Sequence, residues 1–182
     1  MKQTKRIALN LIAILAGTAV FAGNAKADDD KRILTLDVAS DCRTFNYMRG
    51  LSLDQIVRAD RFMMNGTIYR AGDLRSGSQS NDPNAPGAIG TWVARGASTG
   101  SLAQHVANPT QPAIYWTQYL SLSGGMIVTE GWHAPNGAND NAVVGGTRTF
   151  RGASGEVRIE TLGTNVTGCA NTRFRVIFTK RD

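Results

Sequence analysis

His105 and His133 are the only histidines, and Cys42 and Cys169 the only cysteines, in a chain of 182 residues. A zinc site built from so few would need carboxylates or the thiols at ligand spacing. No such motif is present, so no metal is expected. Gly96-Ala97-Ser98-Thr99-Gly100 matches the G-x-S-x-G pattern of a hydrolase nucleophile. That motif needs a large α/β sheet and an acid before its histidine, and no Asp lies between Ser98 and His133. It reads as small residues in a glycine-rich loop. What remains for chemistry is a set of ionisable groups on short β-like runs: Asp37, Glu130, Arg95 and Arg151. A buried carboxylate with a guanidinium partner could act as an acid or orient a carbonyl, whereas a solvent-facing one would do neither. Tyr115, Thr117 and Tyr119 share one face of a strand, a row that could line a ligand cavity, cover an oligomer interface or coat an outer surface. Trp132 and His133 follow on the returning strand and suggest binding.

The elements that must position these groups are strands. Apolar residues seldom recur at helical spacing, and Gly, Asn, Ser and Thr interrupt the chain about every ten residues. Strands are predicted over 33–38, 60–69, 91–95, 113–122, 126–130, 142–144, 155–162 and 173–178. Residues 75–90 are polar and rich in Gly and Pro, and read as a long surface loop. Short helices are predicted near 102–106 or 53–59. In the clearest hairpin, Ile114, Trp116, Gln118 and Leu120 alternate with Tyr115, Thr117, Tyr119 and Ser121 before the Ser123-Gly124-Gly125 turn. Strict alternation means that each strand separates two environments. Seven or eight such strands fit an all-β, closed antiparallel barrel, which removes exposed edges.

The N-terminus is of another kind. Lys2, Lys5 and Arg6 precede an apolar run to about Ala22, and Ala25-Lys26-Ala27 has the small-residue form of a cleavage site. Residues 1–27 therefore read as a signal peptide and 28–182 as a single barrel domain, secreted or periplasmic. The formal charge of +6 mostly leaves with Lys2, Lys5, Arg6 and Lys26, so no nucleic-acid partner is expected. No second apolar run is long enough to span a bilayer. In an exported chain Cys42 and Cys169, 127 positions apart, most simply form a disulfide. In the chain-entropy model so long a loop contributes at most about 5 kcal/mol.

Residues 141–160 (NAVVGGTRTFRGASGEVRIE) resemble the signature of the allene oxide cyclase and dirigent families, a Gly-Gly-Thr turn followed by an aromatic and a second glycine cluster. Gly90 to Gly96 looks like the mid-chain strand of dirigent proteins, and Ile114 to Gly131 is similar to the hairpin upstream of the signature. The resemblance implies an eight-stranded barrel with a pocket, often trimeric, that steers cyclisation or radical coupling of a small hydrophobic or aromatic substrate without a cofactor. It implies catalytic positions at Asp37 and Arg151; Arg95, Tyr115, Tyr119, Glu130 and Trp132 are the candidate ligand-binding residues. Two departures, Arg148 within the turn and Ser154 in place of a second arginine, set this chain apart from dirigent coupling. The Gly145-Gly146 pair is expected to take positive φ at a barrel corner, with Phe150 plugging the barrel end. The alternative is a non-catalytic extracellular interaction or matrix protein whose barrel is packed solid and whose aromatic patches lie outside.

Overall fold

The computed structural model describes residues 32–47, 55–74, 81–134 and 139–179. The leader-like segment and its cleavage site lie outside the described residues. Eight strands follow one another in sequence: β1 (Arg32–Tyr47), β2 (Arg61–Arg70), β3 (Gly90–Ser98), β4 (Ile114–Leu122), β5 (Gly125–His133), β6 (Asp140–Gly146), β7 (Gly155–Thr164) and β8 (Ala170–Phe178). Each pairs antiparallel with its neighbour, and β8 returns to β1, with Arg32 opposite Phe178 and Asp37 opposite Arg173, so that the sheet closes. A short helix, α1 (Leu102–Ala107), joins β3 to β4 and is capped by Ser101, whose hydroxyl accepts from the Gln104 amide while the Gln104 side chain accepts from the Ser101 amide. No helix among the described residues is long and apolar enough to cross a membrane.

The even-odd sorting read from the sequence becomes an inside and an outside. Leu36, Val38, Phe62, Ile68, Trp92, Trp116, Leu120, Ile127, Val157, Phe174 and Val176 point inward and pack on one another. Trp92, Phe62 and Phe174 are less than 2% exposed, so the described part of the lumen is filled by side chains. One polar chain crosses it. Trp92 Nε1 donates to Gln118 Oε1 at 3.0 Å, and Gln118 Nε2 donates to Thr129 Oγ1 at 3.3 Å. With its amide oriented to face the surrounding donors, Asn141 accepts from Trp116 Nε1 at 3.1 Å and donates to the Trp132 carbonyl at 3.2 Å. Buried polar groups that satisfy one another in this way fix a single register in an otherwise apolar core.

β1 extends well beyond the predicted 33–38. From Leu36 to Asp41 every residue is buried, so the alternation that marks a one-sided strand is absent. The second cover is a strap formed by residues 70–74 and 81–89 on the outer face. Ala39, Tyr69, Leu74 and Leu162 form a separate apolar cluster beneath it, joined by Ala85. The Tyr69 hydroxyl lies 3.0 Å from the carbonyls of Pro83 and Ala85. Past the strap, β1 is bonded through Cys42 to Cys169, whose Cα atoms are 5.2 Å apart.

At the opposite end of the barrel, a 3-10 turn at Arg148–Phe150 sets Phe150 into the end of the core, stacked on Phe178 with ring centres 6.0 Å apart. The glycine pair before it works differently from the expectation. Neither Gly145 nor Gly146 has positive φ; a Cβ on Gly146 would lie 2.5 Å from the Phe150 carbonyl oxygen and 2.6 Å from that of Met126. The pair is needed at one position, for close approach of three backbones. The left-handed conformation falls instead on Arg148, at φ 51°.

Candidate functional site

Cross-strand register builds the site. Arg61 on β2 stands opposite Ala97 on β3, Ala97 opposite Tyr115 on β4, and Tyr115 opposite Trp132 on β5. All four belong to the outward-facing parity, so they form one row across the outer surface. Ala97 is the only small member, and the row dips there between an arginine and a tyrosine. The next row runs Met63, Arg95, Thr117 and Glu130. Together they shape two clefts that share Ala97 and Tyr115. One, of about 300 Å³, is walled by Arg61, Arg95, Tyr115 and Thr117; the other, of about 340 Å³, by Arg58, Thr99, Pro112, Tyr115 and Trp132. Both reach the lower end of the volume range of small-molecule sites.

Aromatic rings line this groove in an arrangement suited to planar ligands. Tyr115 and Trp132 meet edge to face, with centres 4.9 Å apart, and are 39% and 52% exposed. The two adjacent exposed rings offer an apolar surface against which a ligand can pack. The Arg95 guanidinium stands 5.1 Å from the centre of the Tyr119 ring, a cation–π contact that holds it over the sheet. Thr117 donates to Glu130 at 3.1 Å. Partial burial and the nearby Glu130 carboxylate raise the Tyr115 phenol above its ordinary value of 10, so it remains a neutral hydrogen-bond donor.

Thus Arg95, Tyr115, Tyr119, Glu130 and Trp132 are brought together, on the outside of the barrel. Sequence alternation identifies a shared face without telling which face is inner, and the Tyr row takes the outer one. Arg58, Arg61 and Ala97 complete the groove and escape sequence reading. Their place depends on the pairing of β2 with β3, which no local pattern encodes.

Asp37 and Arg151 are not part of this groove. Asp37 is fully buried on the outer face under the strap. Its Oδ1 accepts from Arg173 Nε at 2.8 Å, and its Oδ2 accepts from Arg173 Nη2 at 3.1 Å and from the amides of Gly72 and Leu74 at 2.7 and 3.2 Å. Both oxygens are occupied, and the carboxylate anchors the strap. Arg151 is exposed beside the Phe150 plug at the far end.

The two histidines separate. His133 is on the inner parity, its ring 4.9 Å from that of Trp116, and its buried Nδ1 has no hydrogen-bond partner. Burial pushes its imidazole below the ordinary histidine value, against a smaller opposing effect of the Asn139 side chain. His105, on α1, places Nε2 3.2 Å from Ser98 Oγ. The Ser98 hydroxyl donates to the Gly100 carbonyl at 2.6 Å and is buried, so the G-x-S-x-G match produces a closed turn. Among the described residues no group of three or more His, Cys, Asp or Glu is placed to hold a metal.

No family model matches the sequence, and no curated protein matches it. Solved structures do match in shape. A pterocarpan synthase dirigent protein superposes with a TM-score of 0.59 at 12% identity, over 85% of this chain and 98% of its own. The fold is the dirigent-type barrel. A second pterocarpan synthase dirigent protein gives 0.55 at 12% identity, over 81% of this chain and 88% of its own. A pyocyanin demethylase gives 0.56 at 14% identity, over 81% of this chain and the whole of its own. At such identities the likeness concerns the dirigent-type barrel as a fold, and this chain's chemistry has to be argued from its own side chains.

Proposed function

We propose that this protein is an exported dirigent-type barrel that binds a small hydrophobic or aromatic molecule in the outer groove beside Tyr115. Where it acts on that molecule, it does so by holding it for a cyclisation or isomerisation. The observation that carries this reading is the Arg61–Ala97–Tyr115–Trp132 row, in which a small residue between large ones leaves two ring-lined clefts on one rigid sheet. Strand-borne side chains are positioned more firmly than loop-borne ones, which suits steering by shape. The names of the similar structures, two dirigent pterocarpan synthases and a demethylase acting on pyocyanin, support a ligand of this size. Export is supported by the leader-like N-terminus and the Cys42–Cys169 bond.

Isothermal calorimetry of the purified protein against a panel of two- and three-ring aromatic compounds tests this. At least one compound should bind, and the Tyr115→Ala, Trp132→Ala double variant should bind it about tenfold or more weakly, since two ring contacts of about 0.5–1.5 kcal/mol each are lost. Binding that survives the double substitution unchanged contradicts the groove assignment. The close packing of the described residues in the lumen favours a second reading, an extracellular interaction scaffold whose outer aromatic face takes a protein partner or a further copy of the chain. A panel without any binder would favour it.

A further inference from the structure

The charges around the groove point beyond a merely aromatic ligand. Resting on the reading of the groove as a small-molecule site, we infer that its ligand is an aromatic anion, a planar ring system carrying a carboxylate or equivalent acidic group, with the ring against Tyr115 and the charge between Arg61 and Arg95. Three arginines, Arg58, Arg61 and Arg95, line the two clefts, and no carboxylate lines either of them. All three are exposed, and none forms an ion pair among the described residues. Of the nearby acids, Glu130 accepts from the Thr117 hydroxyl and the buried Asp60 from the Val57 amide.

The outer face over β7 and β8 differs in carrying carboxylates among its cations. On β7 and β8, Arg158 bonds Glu156 at 2.8 Å, Arg173 bonds Asp37 at 2.8 Å, and Glu160 stands opposite Arg173. The clefts there are lined by carboxylates as well as cations, Asp140 and Glu160 in one and Glu156 in the other, although Arg175, which lines both, forms no ion pair among the described residues. Beside Tyr115, Arg58, Arg61 and Arg95 line the clefts with no carboxylate among the lining residues. A planar fork of N–H donors binds a carboxylate in two places at once, and stacking on the adjacent ring leaves that bidentate geometry free. Arg95 is already held by the Tyr119 ring, which lowers the cost of ordering it when an anion arrives. Ala97 supplies the floor, since a longer side chain between Arg61 and Tyr115 would fill the space the ring needs.

The test compares two probes of the same shape, 1-naphthoate and 1-naphthamide, by calorimetry near pH 7 at low salt, on the wild-type protein and on the Arg61→Gln, Arg95→Gln variant. Both arginines are exposed, so the variant keeps its core. Naphthoate should bind about tenfold more tightly than naphthamide, the advantage should shrink with added salt, and the variant should bind the two probes equally. Equal affinity of the two probes overturns the anionic assignment and leaves the aromatic groove standing. Failure of both to bind overturns the groove and, with it, the anion.

Discussion

His133 shows how one residue's environment sets its chemistry. Its ring lies inside the barrel against Trp116, with Nδ1 buried and unpartnered, and burial favours the neutral imidazole. The folded-state value lies below the ordinary 6.5, so under mildly acidic conditions the unfolded chain binds a proton that the folded chain does not. By linkage, stability then rises with pH in that window. On acidification, stability should begin to fall as the pH passes the ordinary histidine value, and the loss should level off below the folded-state value. Urea unfolding at neutral and mildly acidic pH checks this, with His133→Gln as the control that should flatten the slope. An equal slope in the variant would place the effect elsewhere. This residue was legible only as a neighbour of Trp132; that it faces inward follows from the register of β4 with β5, where it stands opposite Ile114.

Strands were the most legible elements, because a wall between a filled lumen and solvent writes its alternation into the sequence. The exception is instructive. β1 lost its pattern from Leu36 to Asp41 because the strap buries its outer face as well, and a strand covered on both sides does not alternate. The same strap explains Asp37. A carboxylate in the middle of the first strand reads as a candidate acid, yet here it ties Gly72 and Leu74 to Arg173 across the outside of the sheet. Asp37→Asn should therefore cost about 3 kcal/mol of unfolding free energy, by leaving Arg173 and two amides poorly matched, while ligand binding in the distant groove is unchanged. A loss below about 1 kcal/mol in denaturant unfolding would remove the anchor; a loss of binding without a loss of stability would return Asp37 to the site. The glycine corner was legible in place but not in mechanism. Gly146 serves close approach, and the positive φ falls on Arg148, whose side chain gave no sign of it.

At the scale of the whole molecule, closure decides what the surface can do. Once β8 meets β1 no edge is left to recruit a partner strand, so recognition falls to side chains on the outer wall or at the barrel ends. The lumen between the described residues is taken up by Trp92, Phe62, Phe174 and the Gln118–Asn141 polar chain. The outer wall over β2 to β5 carries the rings and the unmatched arginines. In the sequence, parity groups Tyr115 and Tyr119 on this wall, while Arg95 and Glu130 stand out as ionisable and Trp132 as a strand-end aromatic; Arg58, Arg61 and Ala97 have no such mark, because register across strands has no local signature. The claim that this wall is the ligand site is tested most directly by mapping backbone amide chemical shifts in an NMR titration with 1-naphthoate. Shifts confined to Arg61, Arg95–Ala97, Tyr115–Thr117 and Trp132 are the predicted result. Shifts centred on the inward residues Gln118, Thr129 and Asn141, with the outer row silent, would contradict it.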